Sequence, residues 1–376
     1  MSAVSYDVVI VGAGIVGAAC ADEFTARGMR VAVIDRDCVG GGATAAGMGH
    51  IVVMDDSEAQ FALTRYSQKL WQELSSELPP EVEFDRSGTI WVAADDEEMA
   101  EVNRKCDFYG TRGVPTEVLD ANALRQAEPN LRDGMAGGLR VPEDCVLYPP
   151  CAAAFLLDRA QKRGAKLYSG ESVSQTGNGR VRTASGAEII AKFIVNAAGA
   201  ASADLTRGVD VKKRKGHLVI TDRYPGFVRH QLVELGYLKS AHSSTTDSVA
   251  FNVQPRRTGQ VLIGSSRQYG ADHKEVDQEI LARMLERAQS YMPALARMSA
   301  IRTWTGFRAA TPDKLPLIGP WPGDSSLFLA TGHEGLGITT SLGTARILVD
   351  LISGKVPGIP AEPYLPSRAA QEHAHA

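Results

Sequence analysis

Cysteine is scarce and scattered in this chain. Cys20, Cys38, Cys106, Cys145 and Cys151 form no C-x-x-C pair. That spacing argues against a disulfide framework and supplies no zinc or iron–sulfur ligand set, so no metal site is expected. Reduced structural thiols in a cytoplasmic protein are the expectation, with peripheral membrane association left open. Long apolar runs are also missing. Residues 8–20 come nearest, but Gly12, Gly14 and Gly17 interrupt them. They fall short of the roughly 20 residues that a membrane helix needs, so no transmembrane segment is expected. Residues 1–6 lack the basic start of a signal peptide. Positive charge is not in excess either. Lys and Arg total 40 against 44 Asp and Glu, for a net charge of −4. Nothing in that balance draws the chain to nucleic acid. The one basic run, Lys212, Lys213, Arg214 and Lys215, reads as a solvated crossover or a partner contact.

What is present is a globular composition, 44% hydrophobic and 22% charged, too apolar for a disordered chain. The length of 376 residues suits about two to three domains. No repeat of fixed period appears. The first motif lies in DVVIVGAGIVGAACADEFTARGMRVAVID, residues 7–35. A buried strand over 8–11 leads into Gly12-x-Gly14-x-x-Gly17. A helix follows, Gly28 closes it, and a second strand over 31–34 ends at Asp35. Gly12 permits the tight turn, Gly14 lets backbone approach a pyrophosphate, and Gly17 lets the helix pack closely on the strand. The helix N-terminus offers unpaired N–H groups to phosphate. Asp35 stands where a carboxylate can accept hydrogen bonds from ribose hydroxyls, with Arg36 beside it. A dinucleotide is expected here. The fingerprint alone does not separate FAD from NAD.

Two later segments favour a flavin. In residues 171–201, a strand over 193–197 runs into Ala198 and Gly199. In residues 327–352, an apolar strand meets a loop with Gly332, Gly335 and Gly337, and an amphipathic helix follows from about 339 to 352. A helix N-terminus at that point could stabilise negative charge on a reduced isoalloxazine.

These segments together resemble the D-amino-acid oxidase superfamily, the group with glycine oxidase, sarcosine oxidase and D-amino-acid dehydrogenase. The carriers are residues 8–35, GATAAGMG at 42–49, VNAAGAAS at 195–202, GFRAATPDKLPLIG at 306–319 and ATGHEGLGITTSLGTA at 330–345. The stretch KGHLVITDRYPGFVRHQLVELGYLKSAH, 215–242, resembles more narrowly the FAD-containing β subunits of bacterial D-hydroxyproline dehydrogenases and related cyanide-forming glycine dehydrogenases. The resemblance implies an α/β plus α+β fold: a Rossmann-like FAD-binding domain and a discontinuous antiparallel-sheet substrate domain. It places residues 1–81, 146–214 and 308–376 in the first and 82–145 and 215–307 in the second. Patterning agrees, with helices near 57–78, 95–109, 150–163 and 273–291, and strands at 217–221, 248–254, 260–266 and 301–307. The Pro-, Ala- and His-rich end, 361–376, is expected to fray.

The cofactor implied is FAD. By resemblance, Gly12, Gly14, Ile15, Val16 and Gly17 take its phosphates, with Asp35 and Arg36 at the ribose. Thr44, Ala46, Gly47 and Met48 lie beside the ring. Val173 brings its backbone to the adenine, and Ala198 and Gly199 line the pyrophosphate–flavin region. Gly332, Gly335, Leu336, Gly337 and Ile338 pass under the isoalloxazine. The catalytic candidates are Arg308, whose fork would hold a substrate carboxylate bidentately, and His333, which touches flavin or substrate or else braces its own loop. Tyr148 is second-tier. His50 carries no mark of flavin attachment. Trp304, Phe307 and Tyr269 either line an apolar pocket or pack as ordinary core.

The activity implied is oxidation of a small D-amino or cyclic imino acid, with D-hydroxyproline or D-proline favoured, by hydride transfer from the α-carbon to flavin N5. Two alternatives stay open: a 2-hydroxy acid or glycine/sarcosine oxidoreductase, and a non-catalytic FAD-binding subunit. Electrons leave to oxygen, to a quinone or to an electron-accepting partner subunit.

Overall fold

The computed structural model describes residues 5–236 and 247–368. The end of the 215–242 stretch and the last eight residues of the 361–376 tail lie outside them. The chain divides into two compact units. The first comprises Met1–Val82, Tyr148–Lys213 and Phe307–Ala376, and the second Glu83–Leu147 and Arg214–Gly306.

The first unit is built on one sheet. Its strand order is Leu317–Trp321, Asp324–Thr331, Glu188–Asn196, Ser5–Val11, Val31–Asp35, Lys166–Ser169. The five strands from Asp324–Thr331 to Lys166–Ser169 pair in parallel. Val8 to Val11 are buried on both faces, as a central parallel strand must be. Val9 and Val11 pack with Ile34, Ile194 and Leu327. Helices Ile15–Ala26 and Gly337–Ile352 pack on one another, the first presenting Ala18 and Ala21, both fully buried. Gly343 brings the second against Glu58–Leu74, where its N–H donates to Ser67 Oγ at 3.0 Å. Small residues at both contacts let the helix backbones come close.

The second unit is built on a mainly antiparallel sheet, ordered Ala300–Ala310, Lys212–Arg223, Gln260–Arg267, Ser248–Pro255, Gln231–Glu234, Thr89–Ala93, Gly137–Val141, Glu117–Asp120. One pairing departs from the pattern: Gln231–Glu234 runs parallel to Thr89–Ala93. Alternation decides the faces. Ile90, Val92, Leu232, Phe251 and Val253 enter a single apolar cluster with Met284 and Tyr291, so Thr89, Trp91, Gln231 and Asn252 point the other way. Phe251 stacks on Tyr291 with centroids 4.4 Å apart.

Two expectations need correction. The basic run is not a solvated crossover throughout. Lys215 is fully buried, and its backbone exchanges both hydrogen bonds with Gln268. The helix placed at 273–291 begins at Gln278, because Asp277 caps it by accepting from the N–H groups of Glu279 and Ile280. Among the described residues no helix is long and apolar enough to cross a membrane. No group of three or more His, Cys, Asp or Glu there could hold a metal ion.

The core cluster sets a stability expectation. Phe251→Ala removes a fully buried ring and should cost about 3–5 kcal/mol. Urea unfolding followed by far-UV circular dichroism will show it, with Phe251→Leu falling between that variant and the parent.

Candidate active site

The site begins at the Gly12–Gly17 turn. A Cβ on Gly17 would lie 1.9 Å from the carbonyl oxygen of Gly12, and one on Gly12 would lie 2.5 Å from the carbonyl oxygen of Ala197. Gly12 also has a φ of +110°, which side-chain-bearing residues rarely adopt. Backbone therefore packs directly on backbone. The helix that follows has orphan N–H groups in its first turn. Ile15 N donates to Thr44 Oγ1 at 3.0 Å, and Ala18 N already closes on Gly14 O. The N–H groups of Val16 and Gly17 remain without an intrahelical partner, facing outward at a partial positive charge. That arrangement suits a pyrophosphate.

Asp35 does more than wait for a ribose. Its Oδ2 accepts from Ala13 N at 2.5 Å and its Oδ1 from Asp37 N at 2.8 Å. The carboxylate thus clamps the turn, and its remaining lone pairs are what a ribose hydroxyl could use. Arg36 is exposed and pairs with Asp37 at 3.3 Å. Val173 and Ala198 both pack on the cluster that holds Val11 and Ile34.

Three further loops converge on this turn. Thr44 joins the 42–49 segment to Ile15. A Cβ on Gly47 would lie 2.7 Å from Ile338 Cδ1, so the 42–49 segment also touches the start of Gly337–Ile352. Ala46 ends the short helix Gly42–Ala45, and Met48 is buried. Trp71 fixes the same helix start by donating to Ile338 O at 3.2 Å. Thr339 ties it to His50 O at 2.8 Å. Leu336 N closes on His333 O at 2.9 Å. Gly199 joins from the other side, since its carbonyl accepts from Thr331 Oγ1 at 3.0 Å.

Arg308 is half-buried near the end of the strand Ala300–Ala310. Its neighbour Ala309 accepts from Glu334 N at 2.9 Å, which docks the Gly332–Gly337 loop beside it. Gly335 is exposed, and a Cβ there would lie 3.6 Å from Arg308 Nε. His333 sits inside the loop. It is buried, and its Nε2 meets Thr344 Oγ1 at 3.0 Å. Burial pushes its pKa down to about 3, so the ring is neutral at physiological pH and braces the loop against its own helix.

The remaining candidates are spread out. Tyr148 donates its N–H to Val82 O at 2.6 Å and caps Pro149–Lys162. Trp304, Phe307 and Tyr269 are each half-buried. Arg302 lies over the Trp304 ring at 5.3 Å and Arg214 over Tyr269 at 4.7 Å.

Sequence reasoning missed a polar face. On the side of the second sheet away from its core, Thr89 Oγ1, Trp91 Nε1, Gln231 Oε1 and Asn252 Oδ1 are buried and have no hydrogen-bond partner among the described residues. Val233 separates Trp91 from Asn252 in one row, and Gly264 follows Asn252. Buried polar atoms in such numbers call for a bound partner, water or ligand. The only signal in the sequence was polar residues alternating with apolar ones.

The Gly12–Gly17 turn, the glycine turn at Gly199 and a glycine loop opening a helix suit a flavin nucleotide. Residues 7–351 match the FAD dependent oxidoreductase (DAO) family, and the chain belongs to that family. It is therefore an FAD-dependent oxidoreductase. It is 29% identical to the hydrogen cyanide synthase subunit HcnC of Pseudomonas aeruginosa, over 98% of each chain. It is 28% identical to the glycine oxidase of Geobacillus kaustophilus, over 96% of each. The crystal structure of glycine oxidase from Geobacillus kaustophilus superposes with a TM-score of 0.85, covering 96% of this chain and 98% of that one at 27% identity.

Two outcomes follow from this geometry. Gly17→Ala should purify without yellow flavin absorbance, because its Cβ cannot coexist with the Gly12 carbonyl. The second concerns acid. A histidine held neutral when folded takes up its proton on unfolding, so stability should fall as pH drops from about 6.5 towards about 3. His333→Gln should show a shallower loss over that window in urea midpoints.

Proposed function

We propose that the chain oxidises a small D-amino or cyclic imino acid at its α-carbon, with D-hydroxyproline or D-proline favoured. The observation that carries this reading is Arg308 held beside the Gly332–Gly337 loop through the Ala309–Glu334 hydrogen bond. A guanidinium there grips a carboxylate bidentately and fixes the α-carbon next to it. FAD, when bound, supplies the two-electron hydride acceptor. Val16 and Gly17 N–H groups, with the Gly199 turn, would hold its phosphates. The chain's other contribution is orientation. His333, neutral and bonded to Thr344, keeps the loop rigid and leaves Arg308 to carry the charge. No general base is required if the substrate amine binds neutral.

Glycine oxidase among the relatives supports an amino-acid substrate over a 2-hydroxy acid, and a hydrogen cyanide synthase subunit stands beside it. The word subunit in the second supports a partner chain as electron acceptor.

Anaerobic mixing with D-hydroxyproline, D-proline, sarcosine and glycine tests the reaction. Bleaching of the flavin by at least one is expected, and persistent oxidised flavin with all four overturns it. Arg308→Ala should lower kcat/KM by about 100-fold or more, with Arg308→Lys intermediate.

A further inference from the structure

One buried network has no place in the chemistry above. Thr331 ends the strand Asp324–Thr331, one residue before Gly332, and is 1% exposed. Its hydroxyl donates to Gly199 O at 3.0 Å and accepts from Ser202 Oγ at 2.9 Å. Ser202 is fully buried, and its own N–H also reaches Gly199 O. Asn196, fully buried too, donates through Nδ2 to Ser202 O at 3.0 Å and to Thr206 Oγ1 at 2.9 Å. Its Oδ1 accepts from Ala198 N at 3.2 Å. The network lies wholly within the first unit. It fastens the turn after one parallel strand to the turn after the next.

Neighbouring strands already pair along Ile194 to Asn196 and Leu327 to Leu329. Pairing between these two strands stops there, and the two turns continue beyond it. Gly199 has a φ of +57° and Gly332 one of +78°; Gly332 packs closely, with a Cβ there 2.5 Å from Thr311 Cγ2, whereas Gly199 does not. A Cβ on Gly199 would meet nothing within 4 Å. That turn is therefore not held by packing at its Cα. The Ser202 N–H holds the Gly199 carbonyl from within its own turn, and the Thr331 hydroxyl ties that carbonyl to the strand that leads into Gly332.

We propose that Thr331 is a positioning residue that couples the two turns, so that the phosphate half and the ring half of FAD bind to one preset frame. This rests on the assignment of Gly199 and Gly332 to the cofactor. Without the hydroxyl, the Gly12–Gly17 turn still offers its own N–H groups to a diphosphate. The Gly199 and Gly332 turns then have to be brought into register by the ligand, which lowers affinity for the whole dinucleotide only.

The test compares FAD and ADP binding to apoprotein, with the apoprotein's melting temperature as control. Thr331→Val keeps the volume and deletes the hydroxyl, and Thr331→Ser restores it. For Thr331→Val, FAD affinity should fall about ten-fold, while ADP affinity stays within about two-fold of the parent. Thr331→Ser should recover most of the loss. FAD affinity within about two-fold of the parent overturns the proposal. So does a parallel fall in FAD affinity, ADP affinity and apoprotein melting temperature, which would mark a merely structural residue. Parent apoprotein that binds ADP but not FAD would overturn the assignment of Gly199 and Gly332 to the flavin, and this proposal with it.

Discussion

The site depends on a place where there is no room for a side chain. Gly17 rests against the carbonyl oxygen of Gly12, and Gly12 rests against that of Ala197. These contacts set the depth at which helix Ile15–Ala26 sits on strands Ser5–Val11 and Glu188–Asn196. That depth determines where the unpaired N–H groups of the first helical turn emerge. It also sets how near Thr44 can come, and through Thr44 the position of the 42–49 segment. Gly47 against Ile338 then fixes the start of Gly337–Ile352. A single close approach is passed from loop to loop until it reaches Arg308.

Charge is used sparingly around this frame. Asp35 is spent partly on backbone N–H groups, which stiffens the turn before any ligand arrives. His333 is neutral because it is buried. The buried thiol of Cys20 is pushed well above its ordinary range by the loss of water, and that of Cys145 to about 12. Neither is a nucleophile at neutral pH. Arg308 thus carries its positive charge beside a loop whose own histidine adds none.

The most legible parts of the sequence were those whose requirements are local. Gly17 answers to a clash within the turn itself and Gly12 to one just past the adjacent strand, whereas Gly14 only comes near the Thr44 side chain. The strand Ser248–Pro255 and the helix Gly337–Ile352 follow from two-fold and 3.6-fold patterning. Parts that depend on distant pairing were harder to read. Gln231–Glu234 is four residues long and takes a parallel partner from residues 89–93, which no turn signal announces. Lys215 looked solvated because three basic neighbours precede it, yet the strand carries it inward. Asn196 and Thr331 each close an apolar strand just before a glycine turn. In the sequence they look like ordinary strand ends, and only the sheet order makes them neighbours. Asn252 likewise gains meaning from the face it occupies, not from its identity.

The order of strands in the first sheet also bears on synthesis. Ser5–Val11 emerges first, yet its neighbour Glu188–Asn196 follows some 180 residues later and Asp324–Thr331 later still. The Gly12 turn can form early, but the wall behind it, at Ala197, cannot. A ribosome must therefore release most of the chain before the nucleotide cradle is complete. Until then the apolar faces of Val9 and Val11 have no lasting partner, and this protein should lean on chaperones during translation more than one whose sheet is laid down in sequence.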